Sequence, residues 1–254
     1  MPMTTPRAVA VSRVVGLVAG VIAAALVVVL GPFGMGLVLG PPLVALGLLL
    51  GVVIGEAALR RPRRPTTQGW VRALPSAVPR NLTIAVLGAL VLVVIGVVVA
   101  WVTADDDTFG RGGRALRIVC VSGQSATATP WPGSHFSVPL AIALGAGVLA
   151  AAIGLLLVAR HPAGGTEEDD PRRLRSRAGR AVVEGTVAVI TAGLGSIALT
   201  MGTVLVNIAC APTGLRIAGW VLLVLAVVAL LVALRYIGRL IFGPAGRAPR
   251  HGAD

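Results

Sequence analysis

Six apolar runs, separated by polar segments that are rich in arginine at every second occurrence, set the narrowest limit on what this chain can become. A helix needs about 20 apolar residues to cross roughly 30 Å of hydrocarbon at 1.5 Å per residue. The runs at 14–33, 37–59, 82–102, 138–159, 181–208 and 217–234 are of that order. In lipid every backbone polar group must be satisfied inside the protein, which leaves helices as the form such runs can take. The expected fold is an all-α polytopic bundle of six membrane helices, a single integral membrane domain over 1–254.

Composition closes off the soluble alternative. Only 13% of the 254 residues are charged, while 56% are hydrophobic. A soluble domain has about a quarter of its residues charged, and a chain of this size has too little interior to hide the difference. The net charge of +12 comes from 22 arginines with no lysine. Abundant Gly, Ala, Val and Pro point to codon bias as the source of that choice, so it carries no signal for nucleic acid.

Where the arginines fall predicts orientation. Eighteen lie in the two tails and in the loops 60–81 and 160–180, whereas the opposite side holds only Arg111, Arg114, Arg117 and Arg216. Basic residues in short loops stay on the cytoplasmic side. Both termini are therefore expected in the cytoplasm, with the protein in the cell (plasma) membrane and its arginines near anionic headgroups. Phe33, Trp101, Phe136 and Trp220 fall at the outer ends of the runs, and Tyr236 and Phe242 near the inner end of the last, as interfacial aromatics do. The first run is longer than a signal-peptide core and has no small-x-small site behind it, so an uncleaved anchor is expected.

The largest outer segment, 103–137, is rich in Gly, Ser, Thr and Pro and reads as a small ordered cap. Its run Asp105, Asp106 and Asp107 reads as a solvated anchor, since adjacent carboxylates cannot converge on a cation without a turn. Cys120 in this segment and Cys210 before the last run are the chain's two cysteines. Both fall on the predicted outer side, where disulfides persist. A bridge between them would close a loop of about 90 residues and tie the cap to the last helical hairpin. Two cysteines with a distant His135 make a poor zinc site, because such sites use closely spaced ligand pairs.

Small and polar residues within the runs suggest how the helices meet. Helices in lipid associate through close packing, so small residues mark contact faces. Gly47, Gly51 and Gly55 recur at four-residue spacing in the second run, and Gly16 and Gly20 do so in the first. The short connection between these runs favours an internal hairpin packed glycine to glycine; the alternative is contact with a second copy. In the fifth run Ser196, Thr200, Thr203 and Asn207 share one helical face. Their ordinary use is hydrogen bonding to backbone carbonyls; the sharper reading is a polar path for a solute. A transport site would normally add an ionisable group at mid-membrane, and this face has none. Glu56 with Arg60, and Glu184 with Arg180, are expected as ion pairs at the inner interface.

Motifs for catalysis are missing: there is no HExxH, CxxC, GxxxxGK[ST] or paired intramembrane aspartate. An enzyme is not expected, and no cofactor or metal is implied. At Gly55-Glu56 with its following arginine–proline loop, and at Trp131-Pro132-Gly133-Ser134-His135-Phe136-Ser137-Val138-Pro139, the chain resembles uncharacterised multi-pass membrane proteins of actinobacteria. Val119-Cys120 and Cys210-Ala211-Pro212 extend the likeness over most of the chain. The resemblance implies a six-span membrane protein and carries over no site. The expected role is that of a non-enzymatic interaction or accessory subunit, contacting the lipid bilayer and other membrane proteins or itself; the alternative is a small solute transporter or channel.

Orientation is testable through the cysteines. In intact cells, a maleimide mass tag should react with Cys120 and Cys210 only after treatment with a membrane-impermeant reductant. A requirement for permeabilisation would reverse the topology.

Overall fold

The computed structural model describes residues 5–58, 80–159 and 171–243. Among them six helices carry the six apolar runs: α1 (Thr5–Leu30), α2 (Met35–Ala58), α3 (Arg80–Val102), α4 (Ser134–Ala159), α5 (Pro171–Asn207) and α6 (Thr213–Phe242). All six are long and apolar enough to cross a membrane, and they mark an integral membrane protein with an all-α bundle. The rest of the 60–81 loop before Arg80, and residues 160–170, lie outside the described residues.

Helix ends depart from the apolar runs in a consistent way. α5 begins at Pro171, so the arginine-bearing stretch 171–180 is helix where a loop was expected. α6 continues through Arg235 and Arg239 to Phe242, and the Gly243 amide donates back to the Arg239 carbonyl at 2.8 Å. Arginine is a good helix former, and proline suits the first helical position, where its missing N–H is no loss. The hydrogen-bond ladder therefore runs on past the apolar segment. At the other end, α1 stops at Leu30 and Gly34 adopts a positive φ of 86°, which lets the chain reverse into α2 within a few residues.

α5 is the most enclosed of the helices and packs against α2, α3, α4 and α6, while α1 lies on α2. Glycines explain how closely they approach. A methyl group placed on Gly16 would stand 2.4 Å from the Gly47 carbonyl oxygen, and one on Gly51 would stand 2.4 Å from the Ser12 carbonyl. Gly20 meets the Leu43 carbonyl at 2.8 Å in the same sense, and Gly55 the Ser12 hydroxyl. The five glycines thus form one α1–α2 contact, backbone against backbone at the first four and backbone against a serine side chain at Gly55. Around α5 the pattern changes to side chains seated on glycine. Leu49 of α2 fills the space over Gly185, Leu144 of α4 that over Gly193, and Leu230 of α6 that over Gly195. Val189 of α5 returns the fit against Gly147 of α4.

The cap is a three-stranded antiparallel sheet, β1 (Ala104–Asp105), β2 (Ala115–Val119) and β3 (Ser125–Ala128), in the order β1-β2-β3. Leu116 pairs with Ala128 and Val119 with Ser125. Alternation sends Leu116 and Ile118 onto the core and leaves Arg117 and Val119 exposed. Trp131, 2% exposed, fastens the cap to the bundle: its indole N–H donates to the Ala100 carbonyl at 3.0 Å, one of the carbonyls that the end of α3 leaves without a helical partner. Pro130 rests on Gly34 of the α1–α2 turn. Phe33, Trp101 and Trp220 are exposed at this end of the bundle. Phe136, expected with them at the interface, is instead buried at 3% under the cap.

Replacement of Gly16 or Gly47 by leucine should lower the unfolding midpoint in detergent, at a cost of at least the about 1–3 kcal/mol of ordinary overpacking. Gly88→Ala and Gly238→Ala, whose positions face open space, should be neutral or stabilising by up to about 1 kcal/mol. Equal behaviour of the two groups would refute the packing argument.

Candidate functional site

Charge within a membrane bundle is costly and therefore the first place to look for function. Glu56 and Glu184 are 7% and 6% exposed, near the bundle end opposite the cap. Counting roughly 20 residues for the hydrocarbon from the cap end of α2 and α5 places both at its far border. Glu184 Oε1 accepts from Arg180 Nε at 3.0 Å, one helical turn away, and from Arg239 Nη2 of α6, also at 3.0 Å. Arg239 in turn sits 5.8 Å from the ring centre of Tyr236. Arg13 of α1 lies within electrostatic reach of both carboxylates, and its Nη1 donates to the Leu240 carbonyl of α6 at 3.0 Å. Its Nε is buried with no partner among the described residues. Four helices thus converge on two carboxylates and three guanidinium groups.

The Glu184–Arg180 pair was legible from its spacing. Arg60, the expected partner of Glu56, lies outside the described residues. Arg13 and Arg239 were missed as members. Arg13 stands just ahead of the first apolar run and Arg239 just past the last, and only the packing of α1 and α6 brings them to the carboxylates.

The polar face of α5 spends its hydrogen bonds locally. Thr200 Oγ1 donates to the Ser196 or Ile197 carbonyl, each at 2.9 Å, and Thr203 Oγ1 to the Leu199 carbonyl at 2.9 Å. Asn207 Nδ2 donates to the Thr203 carbonyl at 2.8 Å. Ser196 differs: it is fully buried and its hydroxyl has no partner among the described residues. The face also changes character along its length, from buried Ser196 and Thr200 to exposed Asn207.

In the cap, Cys120 and Cys210 are joined by a disulfide with their Cα atoms 5.5 Å apart. Of the three aspartates, Asp105 pairs with Arg117 at 3.3 Å on the surface. Asp107 departs from the solvated anchor expected of it. Its carboxylate is covered and accepts from the amides of Phe109 and Arg111 at 2.9 and 3.0 Å and from Arg111 Nε at 2.8 Å. Burial alone would raise its pKa, but these amides and the Arg111 guanidinium outweigh that and hold it below the ordinary aspartate value. Asp107 organises a turn. Trp101 donates its indole N–H to Ser137 Oγ, which passes a hydrogen bond on to the Gly133 carbonyl at 2.7 Å.

Comparisons with known protein families, with curated proteins and with solved structures return no match.

Glu184→Gln should destabilise the protein in detergent, by less than the about 3–5 kcal/mol of a fully buried pair, because Arg180 and Arg239 keep 52% and 40% of their side-chain surface. Arg180→Gln should cost less than Glu184→Gln, since Arg239 still holds the carboxylate. The reverse order of unfolding midpoints would remove Glu184 from the centre of the cluster.

Proposed function

We propose that this protein is a non-enzymatic, multi-pass subunit of the cell membrane that acts through interaction, with both termini cytoplasmic and a disulfide-tied cap outside. The observation that carries this reading is the use made of the α5 hydroxyls. Thr200 and Thr203 each bond the carbonyls of the turn before them, and Asn207 does the same with its amide. The face that could have lined a path is thereby committed to its own helix. Charge at the opposite end is drawn into contacts among helices, which fits a part built to hold its shape. Its partners on this reading are the lipid bilayer with its anionic headgroups and other membrane proteins or a second copy. The likeness to actinobacterial membrane proteins belongs to the same proposal and adds no activity to it.

A second reading, a small solute transporter or channel along α5, draws on one observation: the buried hydroxyl of Ser196 without a partner. Thr200→Val and Asn207→Leu separate the two readings. An interaction subunit should lose only stability, on the order of 0.6 kcal/mol per lost hydrogen bond, and its proteoliposomes should release small solutes no faster than empty vesicles. Solute release by the native protein that disappears in folded variants would install the transporter instead.

A further inference from the structure

The β2–β3 hairpin ends in a tight turn in which the Cys120 amide donates to the Gln124 carbonyl at 2.7 Å and the Gly123 amide to the Cys120 carbonyl at 2.9 Å. On either side of Cys120 stand two valines that are largely uncovered among the described residues. Val119 is 72% exposed, and Val121 retains its whole side-chain surface. Two branched apolar side chains this exposed on one tip gain nothing from water, and their height in the molecule is not free. Cys120 is bonded to Cys210 with a Cα–Cα distance of 5.5 Å. Cys210 lies between the end of α5 at Asn207 and the start of α6 at Thr213. Consecutive Cα atoms are about 3.8 Å apart, so the backbone at Val119 and Val121 stays within about 10 Å of that connection.

The same level is where the lipid-facing surface of α6 begins. Leu215, Ile217, Trp220 and Val221 are all exposed along its first turns. A headgroup layer of roughly 5–8 Å lies outside the hydrocarbon on each side of a bilayer, and with the α5–α6 connection at the hydrocarbon border the tip would stand in or next to that layer. Arg216, at the same junction, is exposed and has no ion pair among the described residues. An apolar tip tied to the connection that leads into α6, whose first turn carries the exposed Arg216, matches a phospholipid surface, apolar below the phosphates and anionic at them.

We propose that the hairpin turn around Val119 and Val121 is a lipid-contacting tip, held by the Cys120–Cys210 bond in the headgroup layer of the leaflet on the cap side. The disulfide then does more than join two segments: it sets the depth of a second membrane contact. The proposal needs only the membrane reading of the helices and holds whichever way the chain is oriented.

The test places the photoreactive residue p-benzoylphenylalanine at Val121 of the full chain, reconstituted in vesicles of phosphatidylethanolamine and phosphatidylglycerol. Ile217 carries the same probe as the lipid-facing reference. Illumination should yield a phospholipid adduct at both positions. In the Cys120→Ser, Cys210→Ser background the adduct at 121 should fall while that at 217 persists. If that background does not fold, reduction of the reconstituted protein replaces it. No lipid adduct at 121, a crosslink to a second copy of the chain, or an adduct at 121 unchanged after the bond is opened would each overturn the proposal. The last outcome would assign the contact to the probe's own lipophilicity.

Discussion

Everything in this bundle depends on how closely two backbones can approach in a solvent that rewards no apolar burial. Lipid tails are as apolar as leucine, so helix contact must come from dispersion over short distances, which falls away quickly across a gap. Glycine removes the gap. The α1–α2 contact does this with backbone on both sides, where Gly16 faces Gly47 and Gly51. α5 uses glycine differently, as a set of seats on several faces that each receive a leucine from another helix. Three neighbours are seated in this way, and the fourth, α3, receives Ile197 of α5 on its own Gly96; so enclosed, α5 tolerates the most polar face and one of the buried carboxylates. Its surroundings are protein and not lipid.

That enclosure also shapes the chemistry of the charged groups. A carboxylate at the hydrocarbon border needs donors within reach, and Glu184 draws one from its own helix and one from α6. Breaking such a pair leaves a buried charge uncompensated, whereas the pair itself contributes little net stability. The cluster is better regarded as fixing which helices meet at that end than as glue.

Much of this architecture could be read from residues in order. Run length and arginine placement marked the helices, four-residue glycine spacing marked the α1–α2 face, and the two cysteines fell on one side of the predicted topology. What escaped has a physical explanation in each case. The cap strands are two to five residues long, too short for alternation to stand out, and Trp131 and the disulfide tie them to the bundle. Asp107 looked like a solvated charge because its partners are mostly backbone amides, which no residue pattern announces. Arg239 meets Glu184 only through tertiary packing. The helical extension of α5 to Pro171 was hidden because length arguments stop at the lipid border and hydrogen-bond ladders do not.

The contact between Arg13 and the Leu240 carbonyl spans 227 positions of sequence, and the Cys120–Cys210 bond spans 90. Both wait for the last helical hairpin. A ribosome delivers α1 to the bilayer with its guanidinium long before the acceptor on α6 has been synthesised, so early in biogenesis Arg13 can rely only on Glu56 of the neighbouring helix. Insertion of α5 and α6 then brings in the last partners of the charged end and the second cysteine of the cap together. A chain cut short before that hairpin would expose a half-satisfied arginine at one end and a lone thiol at the other. Those are two chemically distinct marks of an unfinished molecule, one at each face of the membrane.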